Sequence, residues 1–386
     1  MSNNRTIQEA EVCIIGGGIM GCSTAFRLSQ MGKKVVVVEK TYPGAEASTA
    51  TAGTMAVQNK VPGSIVLTLE SLKVWQRLSE ELEWDTGFEM RGGYRLAYSE
   101  EEWDKLEEDA AKQRKLGASV EIIPQEMLRK QIPYISPKVL AAGYCPQDSK
   151  ANPLVVTSAF FRAARRLGAV FLTNARVTGI HILGDMDFVV KTRIGDVRAP
   201  IVVNAANVWS GQIAQMVGYS IPVTMEIQMA MITNGGPPIF PHIITAVKGN
   251  LTLKQEFPSG RVVIGGGWNG TGDYIKEVKQ VDFDNLVRNL QTASDAVPEL
   301  RGREIVRAWA CYEGRSPDRL LMIGPLDSPK GFYIQCCVKG GFTLAPIVGV
   351  IMAEWLTKGK TSLPMDDYLV TRFKTSQHYS VEQTGE

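Results

Sequence analysis

The chain has 386 residues, 44% hydrophobic and 21% charged, with 42 basic against 40 acidic side chains. That is more than one ordinary domain of roughly 150 residues, and long enough to bury a large core without disulfide staples. A formal charge of +2 leaves no bulk electrostatic case for nucleic acid, and three histidines with no CxxC pair argue against a metal centre.

The start, Met1 to Ala10, is polar and lacks the apolar stretch of a secretory signal. No apolar run approaches the ~20 residues of a spanning helix; the longest lies near Ile347–Leu356. Free thiols without a pairing pattern fit a reducing, cytoplasmic compartment. Glu11 to Ile15 is a short apolar run and predicts a buried strand. The turn Gly16 to Gly21 follows, then a helix from Cys22 to Met31 with Ala25 and Leu28 on one face, ended by Gly32. Val35 to Val38 predicts a second buried strand, closing a βαβ unit of the kind that builds a parallel sheet covered on both faces.

Pro43 to Gly53 is rich in small residues and reads as loop. Ile65 to Leu82 reads as helix, and Ser99 with Glu102 forms a capping box ahead of Trp103, Leu106, Ala110 and Leu116 at helical spacing. The acids from Glu100 to Asp109 read as a solvated helix face. A further helix spans Pro153 to Arg166, with strands at Ala169–Leu172, Arg176–Ile180, Phe188–Thr192, Val197–Ala199 and Ile201–Ala206. From about Met225 to Ile305 short alternating strands predict an antiparallel sheet. Met322 to Pro346 then returns to strand, glycine-rich loop and helix. The expected architecture is α/β: a Rossmann-like dinucleotide domain in discontinuous pieces (1–90, 150–225 and 305–386) and a smaller α+β substrate domain with a mainly antiparallel sheet (91–149 and 226–304).

Gly16, Gly18 and Gly21 sit between a strand and a helix, and Glu39 ends the second strand eighteen residues after Gly21. That context is what a dinucleotide fingerprint requires. Backbone N–H groups at the helix start approach a pyrophosphate, and Glu39 accepts from a ribose diol while repelling a 2′-phosphate. The fingerprint alone serves FAD and NAD equally.

Five segments together resemble the FAD-dependent amine and amino-acid oxidoreductases of the D-amino-acid oxidase superfamily. They are Val12 to Lys40; Ala47 to Gly53; Val203–Ala206 with Trp209 and Ser210, like "NAAGxWS"; Trp309–Cys311 with Ser316–Asp318 and Ile323–Pro325, like "WAG…TPDxxPxIG"; and Gly340–Pro346, like "GHGFTLAP". Gln255, Gly260 and Gly265–Gly267 are similar to the β subunits of hetero-oligomeric sarcosine oxidase, proline or hydroxyproline dehydrogenase and opine oxidase. The resemblance implies FAD held by Gly16, Gly18, Ile19, Met20, Gly21, Glu39 and Lys40. It adds Ser48, Thr49, Ala52, Gly53, Thr54 and Met55, then Val177, Ala205, Ala206 and Trp209, and last Cys311, Gly324, Gly340, Gly341, Phe342 and Thr343. It implies partner subunits, in which a second FAD, an FMN or an iron–sulfur centre is carried.

The same resemblance implies oxidation of a secondary-amine amino acid (sarcosine, proline, hydroxyproline or an opine) by hydride transfer to flavin N5. Lys254, Tyr312, Glu313 and Thr343 are the expected catalytic residues, with Thr51, Gln255 and Trp268 on the substrate. Three departures stand out. Val338 and Lys339 replace the usual residues ahead of Gly340. Cys311 replaces a glycine, either as a small buried thiol or as a point of flavin attachment. Glu313 stands where glycine oxidase-like proteins place a substrate-binding arginine. Vicinal Cys336 and Cys337 are expected in the fold or at an interface. The alternative from another class is a non-catalytic FAD relay or assembly subunit.

Overall fold

The computed structural model describes residues 7–336 and 339–373; Cys337 and Val338 lie outside the described residues. The strands Val12–Ile15 and Val35–Val38 pair in parallel, with Val12 opposite Val35, and the helix Ile19–Gln30 connects them. All eight strand residues are buried, which explains their unbroken apolar character. The helix starts three residues earlier than the expected Cys22, because the chain turns helical directly after Gly18.

These strands form the middle of a six-stranded sheet ordered Met322–Pro325, Phe332–Cys336, Ile201–Asn204, Val12–Ile15, Val35–Val38, Val170–Leu172. Only the Met322–Pro325 edge runs antiparallel to its neighbour. Strand alternation divides the core in two. Val12, Ile14, Val35 and Val37 face Phe26, Trp75, Phe160 and Phe342 of the helices on one side. Cys13, Ile15, Val36 and Val38 face Phe188, Val190 and Ile213 on the other. There a four-stranded sheet, ordered Ile7–Glu9, Asp196–Ala199, Asp187–Thr192, Val177–Gly184, covers it.

The second large sheet has eight strands. Its order is Ile305–Arg315, Thr224–Thr233, Val262–Asn269, Thr252–Gln255, Ile243–Ala246, Gly93–Ala97, Ala141–Cys145, Glu121–Pro124. Every pairing is antiparallel except Ile243–Ala246 with Gly93–Ala97. The strand Ile305–Arg315, from the segment expected in the dinucleotide domain, therefore belongs to this sheet. The segment 43–53 is not loop throughout, since Ala47–Ala50 makes a helical turn. Ser99 Oγ accepts from Glu102 N at 3.2 Å, and Glu102 accepts in return from Tyr98 N at 2.9 Å. Glu102 is buried and Asp109 pairs with Arg95 at 2.9 Å, so that acidic face is only partly solvated.

Among the described residues no helix is long and apolar enough to cross a membrane.

Candidate active site

A long cleft of about 1450 Å³, open mouth included, runs from the glycine turn to the start of the helix Gly341–Lys358. Its lining runs from Glu39 and Val177 to Glu313 and Phe342, which suits an elongated ligand. The glycine turn forms its floor. Gly16 has φ of +109°, and a Cβ there would lie 2.6 Å from the Ala205 carbonyl oxygen. A Cβ on Gly21 would meet the Gly16 carbonyl oxygen at 2.0 Å, so helix and strand pack at a distance only glycine permits. Ser48 Oγ accepts from Ile19 N at 2.9 Å, which ties the small-residue segment to the helix start.

Glu39 ends its strand with one oxygen accepting from Gly17 N at 2.7 Å and the other from Thr41 N at 2.9 Å. Its carboxylate is thereby fixed on the cleft wall, with lone pairs left for a diol. Lys40, Val177, Ala205, Ala206 and Trp209 line the same end. Gln335 also lines the cleft; its Oε1 accepts from Thr24 Oγ1 at 2.8 Å, while among the described residues its buried Nε2 has no partner. A cradle shaped for backbone approach, a fixed carboxylate and an orphaned donor fit the pyrophosphate and ribose of FAD.

A hairpin, Thr271–Asp273 with Val278–Gln280, closes over this end. Glu277 accepts from Arg176 at 2.7 Å and from Lys40 at 3.1 Å. Lys279 pairs with Glu46, and the Lys40 ammonium stands 3.3 Å from the centre of the Trp209 ring. Trp209 Nε1 donates to the Tyr274 carbonyl oxygen at 3.1 Å. Lys40, Glu46, Arg176 and Trp209 are all cleft residues, so the hairpin is latched to the cleft itself.

At the other end Thr51, Thr54, Glu313, Gly340, Gly341 and Phe342 come together. Glu313 accepts from Arg315 at 2.9 Å, and Arg315 also pairs with Glu226 at 2.6 Å. Glu313 thus both faces the cleft and is ion-paired. Thr343 is fully buried just behind; its carbonyl oxygen accepts from Ser71 Oγ at 2.6 Å and Trp75 Nε1 at 2.9 Å.

Other expected site residues do not line this cleft. Tyr312 projects from the face of its strand opposite Glu313; it is buried, edge-on to Trp209, with its hydroxyl donating to the Asp273 carbonyl oxygen at 3.2 Å. The Gln255 amide is buried and spent on the backbone. It accepts from Ile239 N and Phe240 N and donates to the Pro237 and Gly260 carbonyl oxygens. Trp268 donates to the Asn250 carbonyl oxygen at 2.8 Å.

Lys254 is fully buried, 2.6 Å from Glu256 and 3.2 Å from the Ala151 carbonyl oxygen, beside Gly53. Burial holds its ammonium pKa below the ordinary lysine value, with Glu256 opposing. Cys311 shares the Glu313 face of its strand, yet burial, helped by Glu313, pushes its thiol up to about 12. A protonated thiol is a poor nucleophile, which disfavours flavin attachment. Gly324 packs on Leu369 and Trp355, and Thr49 turns its hydroxyl to the Gly44 carbonyl oxygen. Met55 is buried, next to Thr54 in a short pairing with Ser149–Lys150. Ala52 is partly buried beside Gly53. Cys336 is a buried cleft residue.

The sequence reading missed Glu46, Arg176, Gln335, Glu277 and Lys279, whose proximity arises only from tertiary folding. It also missed Lys60, whose Nζ donates to Thr343 Oγ1 at 3.1 Å.

Known proteins resemble this chain in sequence and fold. The chain is 26% identical over 371 residues to dimethylglycine dehydrogenase, mitochondrial, of Rattus norvegicus; the match covers 91% of this chain and 43% of that protein, so the chain spans less than half of that relative. It is 24% identical over 380 residues to an opine oxidase subunit of Rhizobium meliloti, covering 96% and 99% of the two chains. The crystal structure of L-proline dehydrogenase from P. horikoshii superposes with a TM-score of 0.84 at 29% identity, covering 96% of this chain and 99% of that one. Residues 11–355 match the family described as DAO, FAD dependent oxidoreductase, and the chain belongs to that family of FAD-dependent oxidoreductases.

Proposed function

We propose that this chain oxidises a secondary-amine amino acid (sarcosine, proline, hydroxyproline or an opine) at the carbon beside its nitrogen. The observation that carries the reading is Glu313 in the wall of the same cleft that Glu39, Gly340 and Gly341 line. When bound, FAD supplies a two-electron acceptor for the hydride that leaves that carbon. Glu39 and the glycine turn anchor the adenosine and pyrophosphate, and Thr51, Thr54 and Gly340–Phe342 bound the reacting end. Glu226, Arg315 and Glu313 form a chain of two carboxylates and one guanidinium, with Lys60 and Lys339 near its Glu313 end. The Glu313 carboxylate itself is a partner for an amine or a cationic side group and repels a carboxylate set directly against it. At ~4 Å and an effective dielectric near 20, like charges would repel by about 4 kcal/mol before screening.

The named activities of L-proline dehydrogenase and of the opine oxidase to which the Rhizobium meliloti protein belongs support the substrate class. A turnover panel of sarcosine, L- and D-proline, hydroxyproline and opines with an artificial electron acceptor tests it; no turnover by FAD-loaded protein on any of them removes the reading. Glu313→Gln is expected to lower kcat/KM for an arginine-derived opine far more than for sarcosine. Equal losses would refute the assignment of Glu313 to a cationic substrate group.

We further propose that the chain works within a hetero-oligomer. The full-length similarity to one component of an opine oxidase supports this, as do exposed Phe283 and Val287, one turn apart on the helix Phe283–Ala296. Full turnover with a physiological acceptor by the isolated monomeric chain would overturn it.

A further inference from the structure

Lys60 leaves a rigid turn and ends beside Gly340, a residue of the cleft wall. The turn Val57–Asn59 is pinned on three sides. Asp148 accepts from Val57 N at 2.6 Å, Gln113 Nε2 donates to the Gln58 carbonyl oxygen at 2.9 Å, and Thr245 Oγ1 meets Asn59 Oδ1 at 3.3 Å. From there the Lys60 side chain reaches Thr343 Oγ1. Its ammonium stands so close to Gly340 that a Cβ on that residue would lie 2.0 Å from Nζ. Gly340 has φ of +81°, and it begins the helix Gly341–Lys358.

The ammonium is short of counter-charge. Among the described residues its one side-chain hydrogen-bond partner is the neutral Thr343 hydroxyl, and no carboxylate pairs with it. Burial and Lys339 bring its pKa down to about 8, against the opposing pull of Glu313 and Asp148. The helix start adds partial positive charge at the same point. Lys60 is partly buried, and a cation there without a counter-ion is costly, so its retention points to a negative group beside Gly340. In FAD the reacting end becomes negative on reduction. Hydride brings two electrons and one proton to N5, and the surplus charge settles on N1 and the C2 carbonyl.

We propose that Lys60 is a catalytic residue: its ammonium, set against Gly340, is the counter-charge for the N1 and C2-carbonyl edge of reduced FAD. This rests on the FAD-dependent family and not on the choice of substrate. A lysine there favours hydride acceptance without touching the substrate, whereas Glu313 in the same cleft acts on the substrate side.

Sulfite tests it, because sulfite adds to N5 of oxidised FAD and leaves the same negative edge. Sulfite is titrated into holoenzyme of the wild type, Lys60→Met and Lys60→Arg, following flavin absorbance, with FAD content measured first. Loss of a facing charge at a few ångström is expected to weaken sulfite binding by about tenfold or more in Lys60→Met, while Lys60→Arg stays near wild type. Sulfite affinity unchanged in FAD-replete Lys60→Met overturns the proposal. If Lys60→Met does not retain FAD, Lys60→Gln against Lys60→Arg makes the same comparison, with weakened binding again supporting the proposal and unchanged binding overturning it. Isovalerate, the carbon isostere of dimethylglycine, is titrated in parallel. Weakened isovalerate binding with unchanged sulfite affinity would assign Lys60 to a substrate carboxylate and refute the flavin role.

Discussion

Glu39→Gln tests how the cleft holds its cofactor. The wild-type carboxylate is 9% exposed and accepts from Gly17 N at 2.7 Å, Thr41 N at 2.9 Å and Thr41 Oγ1 at 3.2 Å. Glutamine keeps the shape but has one acceptor oxygen and one NH2. Whichever way the amide lies, its NH2 opposes an N–H donor, from Gly17 or from Thr41. Leaving one such donor unsatisfied costs the apoprotein about 1–3 kcal/mol. FAD binding loses in addition a hydrogen bond to a charged acceptor, about 1.5–3 kcal/mol, or roughly 10- to 150-fold in Kd. Kd is measured by quenching of FAD fluorescence on titration with apoprotein, and apoprotein stability by urea unfolding. A Kd within about threefold of wild type, under 1 kcal/mol, would refute the placement of Glu39 on the FAD ribose.

The latch of the 271–280 hairpin predicts that Lys279→Ala together with Glu277→Ala speeds FAD release at low salt, and that the difference shrinks near 1 M salt, where screening acts within about 3 Å; equal release rates at low salt would refute the latch. Asp148 is buried, and desolvation raises its pKa to about 6, against backbone donation from Val57 N. Between the unfolded value near 4 and about 6 the folded protein holds a proton that the unfolded chain has lost, so this group makes stability fall as pH rises through that window. Relative to wild type, Asp148→Asn should therefore gain stability by about 2 kcal/mol between pH 4 and pH 7 in urea unfolding; a pH-independent difference would contradict the assignment. Lys254→Met removes the buried partner of Glu256 and is expected to lower stability by about 1–3 kcal/mol, discounted because Glu256 is a third exposed, and a neutral outcome in thermal melts would show that the pair contributes nothing.

The glycine turn, the two buried strands and Glu39 are legible in the sequence because one local rule governs each of them. Glycine serves where a Cβ cannot fit, apolar runs form strands covered on both faces, and a carboxylate ends the second strand. Residues such as Tyr312 and Glu313 are harder. They are neighbours in sequence but stand on opposite faces of one strand, and only register shows which of them meets the cleft. Gln255 is polar and buried, the usual mark of a site, yet four backbone groups use its amide completely. Lys60 is the opposite case, an unremarked lysine after a small-residue segment that is brought to Thr343 across 283 residues of chain. The strand Ile305–Arg315 joins the eight-stranded sheet because its partner, Thr224–Thr233, is itself distant in sequence. Such pairings leave no periodic trace.

Anaerobic mixing of the FAD-loaded chain with one candidate substrate at a time tests the central claim most directly, since it needs no electron acceptor and no further polypeptide. The account predicts one FAD per chain and complete bleaching of its visible absorbance by one equivalent of a secondary-amine amino acid. Stoichiometric FAD that stays oxidised with every member of the panel would contradict it and leave a cofactor-holding relay protein in its place.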